Sequence, residues 1–439
     1  MVNPKGKTST ITNSYNERCE SALEQALLSV PFYKSWKQYD KGRAFSFAER
    51  MAALPILTKK DIRANVPNGF IVDKYKCREG FASGEIEMES TSGTSEERVS
   101  VVWNQKWWNY SEREAARLNP VLAYIFKSPH REAILTSPAC SGNLCHVGES
   151  SMDERMIGNL LFLNQTPDPT AWDDRNIRRM AEEIESFQPD ILEADPAYLA
   201  IFSRSHLAAG YELYKPKCIV LTYEFPSRVH YRQIHRAFPG IPVVSSYGST
   251  ETGHVFTQCE VGTFHQNTAT CYVDIQPLRK EFGNTGVGRI LVSSLGNPWF
   301  VLLRYDIGDM VLSRDGINCP CGRSEGLTID GIEGRVRDIT FDTKGHVVTL
   351  KRLDDALEPV ETLSGYKVVQ TERRRYTMHY SADSEASSDL GNVLLEILHN
   401  LYGKDAVIDI SRDSALTPEQ SGKFQLACAI KDLYPEGLF

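Results

Sequence analysis

The stretch CIVLTYEFPSRVHYRQIHRAFPGIPVVSSYGSTET, residues 218–252, decides the fold. Cys218-Ile219-Val220-Leu221 is an apolar run of strand length, residues 227–238 carry helical spacing, and Val243-Val244-Ser245 opens a second apolar run. A strand, a covering helix and another strand in that order predict a parallel βαβ unit. The alternation extends backwards. Ala133-Ile134-Leu135 and Asp190-Ile191-Leu192 read as further strands, with a helix over 174–187 between them. Residues 131–247 therefore predict an α/β layered domain.

On either side the character changes. The first hundred residues read as helices and loops: 20–30 is amphipathic, and Thr58 is placed to cap a helix over 58–64. A strand is expected over 99–103. Beyond about residue 270 the pattern becomes hairpin-like, with strands expected over 287–293 and 300–304. After 335–338 it changes again. Strands are expected over 338–341 and 346–350 around the turn Lys344-Gly345, then over 367–379 and 406–410. Leu390, Val393, Leu394, Ile397, Leu398 and Leu401 share one helical face that ends at Gly403. The expected class is α/β: a large layered N-terminal domain with parallel sheets and helices over 1–336, hinged to a small α+β domain over 337–439.

Composition narrows the function. The chain has 439 residues, 41% apolar and 24% charged, with a formal net charge of -8. That balance argues against nucleic-acid or anionic-membrane binding. No apolar run approaches the ~20 residues of a membrane span, and the polar first twenty residues are unlike a secretory signal. A cytosolic protein is expected. Its ten cysteines are then thiols or metal ligands rather than disulfides.

Four short segments carry chemistry. Ser92, Gly93, Thr94 and Ser95 put hydroxyls and a glycine in one loop before a strand, which suits phosphate oxygens, although an ordinary polar loop has the same composition. Ser246-Tyr247-Gly248-Ser249-Thr250-Glu251 follows the apolar strand, with a tyrosine to stack on a purine, a threonine for phosphate and a glutamate for Mg²⁺. Arg304-Tyr305-Asp306-Ile307-Gly308-Asp309 offers a carboxylate for ribose hydroxyls. Lys423 sits on a glycine-containing loop, 418–424. Each alone also fits an ordinary turn or a solvated surface.

In this order and spacing the segments resemble the adenylate-forming superfamily of acyl-CoA synthetases, peptide-synthetase adenylation domains and luciferases. Within it the chain is similar to the phenylacetate-CoA ligase and CapK-like branch. Pro31-Phe32-Tyr33, Leu54-Pro55-Ile56-Leu57-Thr58-Lys59-Lys60-Asp61-Ile62, Cys319-Pro320-Cys321-Gly322-Arg323 and Gly331-Ile332-Glu333-Gly334-Arg335 carry that similarity. The resemblance implies ATP-dependent activation of a carboxylic acid as acyl-AMP, then acyl transfer. Ser92 to Ser95 would grip the β- and γ-phosphates. Tyr247 would lie against adenine with Ser246 and Gly248 beside it, Thr250 would touch the α-phosphate, and Glu251 would bind Mg²⁺. Asp309 would hold the ribose, and Arg335 ribose and phosphate. Lys423 would bridge the attacking carboxylate and the α-phosphate. The small domain would swing about 334–338, with Arg337 at the pivot.

Cys259, His265, Cys319 and Cys321 supply three thiolates and an imidazole, a set suited to structural Zn²⁺; relatives resemble the chain here too. The bland alternative is two buried cysteines in a tight turn beside an unrelated histidine, with Cys271 as a spare ligand. His254 either faces the active site or merely packs, and packing is expected of Trp103, Trp107 and Trp108. Residues 137–146 and Tyr223-Glu224 lie where relatives shape the acyl pocket, and suit a polar or aromatic acid, although an ordinary polar loop fits them equally. Coenzyme A is the default acceptor, with a carrier-protein thiol or an amine as alternatives. One departure stands out: Glu96-Glu97-Arg98 puts two acids beside the phosphate loop, which disfavours a triphosphate and keeps open a non-catalytic nucleotide-binding zinc protein.

Overall fold

The computed structural model describes residues 8–91, 98–138, 148–210, 212–283, 286–313, 318–383, 388–413 and 416–439. The expected phosphate loop, with Ser92, Gly93, Thr94, Ser95 and Glu96-Glu97, and most of the 137–146 segment lie outside them.

The βαβ reading of 218–252 holds. A nine-stranded sheet runs in the order Thr328–Ile329, Phe264–Gln266, Gly253–Gln258, Val243–Ser249, Cys218–Leu221, Ile191–Ala194, Glu132–Leu135, Leu160–Phe162 and Met156–Ile157. From Val243–Ser249 to Leu160–Phe162 the neighbours are parallel; the outer strands are antiparallel. Alternation along each strand sorts side chains by face. Ala133, Leu192 and Ile219 pack with Ile177, Met180, Ile184, Tyr198, Leu199 and Ile234 from three helices, Asp174–Phe187, Pro196–Ala209 and Arg228–Ala237. On the other face Ile191, Val220 and Val244 meet Ala116, Leu122 and Ile125. Asp173, Asp195 and Ser227 each accept a backbone N–H at the start of those three helices, which fixes where the crossovers begin.

A four-stranded antiparallel sheet, Cys271–Pro277, Val287–Ser294, Tyr305–Leu312 and Gly331–Arg335, packs with the N-terminal helices in the largest core. The strand expected over 300–304 does not form. The amides of Val301, Leu302, Leu303 and Arg304 go to the Phe70 carbonyl, Ser294 Oγ, the Tyr33 hydroxyl and Ser293 Oγ at 2.9–3.0 Å. Side-chain hydroxyls thus replace a ladder partner.

The C-terminal region builds a sheet in the order Val407–Arg412, Arg375–Ala382, Leu363–Glu372 and Ala427–Ala429, covered by Leu350–Leu357 and Leu390–Tyr402. Two expectations need correction. Residues 367–379 are two strands of a hairpin turning at Arg373-Arg374, so one continuous strand was too few. Leu350 starts a helix, because Thr349 accepts from the Arg352 amide as its N-cap and ends the short strand Val347–Val348. The helix Arg228–Ala237 docks the region on the large sheet. Arg232 donates to the Val360 and Leu363 carbonyls at 3.0 and 3.1 Å, and the Arg228 amide to Asp354 at 2.8 Å.

Candidate active site

The parallel strands Cys218–Leu221 and Val243–Ser249 end facing the C-terminal region, where open α/β sheets place their ligands. The cleft there holds about 910 Å³ of empty space, part of it open to solvent. It is lined by Ser246, Tyr247, Gly248, Asp309 and Arg335 from one side and by Lys423 from the other.

Tyr247 donates its hydroxyl to Asp309 Oδ2 at 2.7 Å, and Arg335 Nε lies 3.6 Å from Oδ1 of the same carboxylate. Strand pairing explains the trio. Asp309 and Arg335 are direct cross-strand partners, while Tyr247 pairs with Phe256 on the other sheet. Gly248 is forced by the hairpin, since a Cβ there would lie 2.2 Å from the Gly253 carbonyl. Thr250 and Glu251 lie on the turn between Val243–Ser249 and Gly253–Gln258, just beyond the lining residues. Glu251 is buried and accepts from the Tyr305 hydroxyl at 2.8 Å; its second oxygen takes no hydrogen bond among the described residues.

Lys423 reaches across from the C-terminal region. Its ammonium donates to the Tyr223 carbonyl at 3.0 Å, and the next amide, Phe424, donates to Glu224 Oε1 at 2.9 Å. Buried Asp195 stands beside them: one oxygen caps Pro196–Ala209 and the other has no hydrogen-bond partner among the described residues. Burial pushes the Asp195 and Glu224 carboxyls above their usual range, and Lys423 works against both shifts. Tyr223, at φ 72°, turns its hydroxyl to Glu193 Oε1 at 2.5 Å. Glu193 is pushed up to about 7 by burial and then by Glu132. Glu112, Glu132 and Glu193 bring carboxylate oxygens within 4.8 Å of one another.

His254 packs rather than reaching into the cleft. Its ring meets Trp108 at 4.9 Å and Ser246 Oγ at 3.4 Å, and burial lowers it to about 4, so it is neutral. Trp107 is buried, and Trp103 packs on Trp108 at 4.3 Å.

The four expected zinc ligands converge elsewhere. Cys259, His265, Cys319 and Cys321 place their ligand atoms within 4.8 Å of one another, with Cys259 Sγ 3.7 Å from Cys319 Sγ and Cys321 Sγ 3.2 Å from His265 Nε2. Tetrahedral bonds of ≈ 2.3 Å to sulfur put two sulfurs about 3.8 Å apart, so the residues fit zinc. His265 Nδ1 faces Thr328 Oγ1 at 3.3 Å, an outer contact that orients the ring. Two turns bring the halves together: Gly262 donates to the Cys259 carbonyl, and Gly322, at φ 79°, to that of Cys319. Cys271 is not part of the set; its thiol donates to the Asn267 carbonyl at 3.4 Å.

The sequence reading missed Tyr305, Glu193 and Asp195 as parts of this neighbourhood. Only Asp195 left a trace, as a helix cap before Pro196; the other two depend on which strands pair.

No protein-family model and no curated protein matches the chain. Solved structures do. 2-Hydroxyisobutyryl-CoA ligase in the postadenylation state with 2-HIB-AMP superposes with a TM-score of 0.72 at 15% identity, over 99% of this chain and 94% of that one. The same ligase in an open conformation with 2-HIB-AMP and CoA gives 0.60 at 15% identity, over 98% and 96%. The amide bond synthetase McbA from Marinactinospora thermotolerans gives 0.51 at 15%, over 77% and 67%. The chain has the fold of the adenylate-forming ligases.

Proposed function

We propose that the protein uses ATP to activate a carboxylic acid as an acyl-AMP and then passes the acyl group to coenzyme A, as a phenylacetate-CoA ligase-like enzyme. The observation that carries this reading is the entry of Lys423, from the C-terminal region, into the cleft that holds Tyr247, Asp309 and Arg335. In the first step a carboxylate oxygen attacks the α-phosphorus, the new C–O–P bond forms, and the bond to pyrophosphate breaks. Negative charge builds at the α-phosphate, where Lys423 and Arg335 supply positive charge and Thr250 a hydroxyl. Tyr247 would stack on adenine, with Ser246 and Gly248 lining its edge. Asp309 would exchange its bond from Tyr247 for the ribose hydroxyls. Ser92 to Ser95 would take the outer phosphates. Glu251, with one oxygen held by Tyr305 and the other without a partner among the described residues, fits a magnesium ligand. Mg²⁺ would neutralise the phosphate oxygens when bound.

In the second step a thiol attacks the acyl carbon and AMP leaves. We infer that the region 337–439 then turns about 334–338 to remove Lys423 and admit the acceptor. Gly334 suits such a joint: it sits at φ 99°, where a Cβ would lie 2.7 Å from Leu350 Cβ. The higher score against the postadenylation state than against the open form supports reading this arrangement as the adenylating one. Tyr223 and Glu224, which line the cleft, support a polar or aromatic acid. An amine acceptor is the second reading, favoured by the similarity to an amide bond synthetase; a carrier-protein thiol is a third. We also propose one structural zinc at Cys259, His265, Cys319 and Cys321. The described cysteines are all free thiols, which suits a cytosolic setting, and no helix among the described residues is long and apolar enough to cross a membrane.

The test is acid-dependent pyrophosphate release from ATP over a panel of aromatic, short-chain and amino acids, without acceptor. Release with one acid, followed by thioester formation on adding coenzyme A, is expected. Silence over the panel with ATP bound would reject the reading in favour of a non-catalytic nucleotide-binding protein.

A further inference from the structure

The loop that carries Lys423 is gripped by its main chain. Glu419 and Lys423 close a tight turn, the Glu419 amide donating to the Lys423 carbonyl and the Gly422 amide to the Glu419 carbonyl, each at 2.8 Å. Three groups of the large domain hold this turn. Glu224 accepts the Phe424 amide at 2.9 Å. The Tyr198 hydroxyl lies 3.0 Å from the Gly422 carbonyl, sharing its proton with the Pro167 carbonyl at 2.7 Å. Buried Ser137 closes the third side: a Cβ on Gly422 would lie 2.1 Å from its Oγ and 3.0 Å from the Tyr198 oxygen. Gly422 is also at φ 81°, so both space and backbone require glycine.

Resting on the proposed function, we propose that Glu224 is a positioning residue for Lys423: it accepts the Phe424 amide, clasps the 419–424 turn onto the large domain and so sets the ammonium at the cleft. Tyr198 and Ser137 form the rest of the clasp, and Gly422 is the tooth that fits it. The contact needs an acceptor oxygen and not a negative charge. A carboxylate, a protonated carboxyl and a carboxamide all present one. Glutamine therefore replaces Glu224 in function where alanine does not. The clasp serves only acyl-AMP formation, since Lys423 has no part in the thiol's attack.

The experiment combines hydrogen exchange with the two half-reactions measured separately. In Glu224→Ala the Phe424 amide is expected to exchange at least about ten-fold faster, with the strand Leu363–Glu372 unchanged. Acyl-AMP formation should fall at least about ten-fold more than acyl transfer from supplied acyl-AMP. Glu224→Gln should restore both to within about threefold. Gly422→Ala, which leaves Glu224 in place, should show the same half-reaction split. Unchanged exchange in Glu224→Ala, or a glutamine variant as loose as the alanine one, overturns the clasp. Loosened exchange with undiminished acyl-AMP formation overturns the positioning role of Glu224, whereas undiminished formation in Lys423→Ala would instead overturn the proposed mechanism.

Discussion

Replacing Tyr305 by phenylalanine tests the metal assignment through a residue that touches no substrate. Tyr305 is fully buried, and its hydroxyl donates to Glu251 Oε1 at 2.8 Å. Burial, and then the Glu251 charge, push that hydroxyl far above the normal tyrosine range, so it remains a donor at any working pH. The ring stays in the core after the change, so the loss is confined to one hydrogen bond to a charged group, worth about 1.5–3 kcal/mol. If Glu251 holds magnesium, Tyr305 is an outer partner of a metal ligand, and such partners contribute about 10–100-fold in metal affinity. That range is about 1.4–2.7 kcal/mol, so the two routes to the magnitude agree. The assay is initial pyrophosphate release at fixed ATP and acid, titrated with Mg²⁺. The midpoint is expected to rise about 10–100-fold with the maximal rate largely recovered at high Mg²⁺. A folded Tyr305→Phe protein with a wild-type midpoint would show that Glu251 does not hold the ion.

Lys423→Ala should reduce acyl-AMP formation by about 10²–10³-fold, the usual cost of removing one donor from developing charge, with nucleotide affinity by calorimetry little altered; undiminished formation would refute its role. Elemental analysis should find one zinc per chain, and Cys321→Ser should lose it and lower the melting temperature, whereas metal-free wild-type protein of unchanged stability would refute the site. Acid should destabilise the fold through His230, which burial and then Arg204 lower to about 3 and whose Nδ1 accepts from the Ser227 amide at 3.3 Å. The unfolded ring takes a proton below about pH 6.5 that the folded ring refuses, so stability falls from there towards pH 3 by at most about 5 kcal/mol. His230→Gln, which keeps the capping box, should flatten the melting temperature between pH 6 and 4. Parallel curves for the two proteins would refute it.

What was legible in the sequence follows from how local each signal is. The runs at 133–135, 191–192, 218–221 and 243–245 needed only their neighbours in sequence to be read as buried strands, and the cap at Thr58 was visible for the same reason. The segment 300–304 is equally apolar, yet its amides are taken by hydroxyls from residues 33, 293 and 294. No local pattern announces that. Leu350 looked like the end of a strand because a threonine suits both a strand and a helix cap. In the site, residues were readable where one short segment carries the chemistry, as in 246–251 and around Lys423. Tyr305, Glu193 and Asp195 were not, because their roles depend on which distant segments meet: Tyr305 with Glu251, Glu193 with Tyr223, and Asp195 with Lys423 of the C-terminal region.

Phe424 gives the closed arrangement a further property. Its ring packs against both the core of the C-terminal region and the core beneath the large sheet, with Tyr198 at 6.2 Å. The ring is only partly buried, so withdrawing it from the large-sheet core costs at most about 1.5–3 kcal/mol, a population bias of at most about 10–150-fold. Intermediate angles of the C-terminal region would leave the ring with neither full contact nor a new seat. If the C-terminal region turns about 334–338 as proposed, its travel would be a jump between detents rather than a smooth arc, with the aromatic ring acting as the sprung ball.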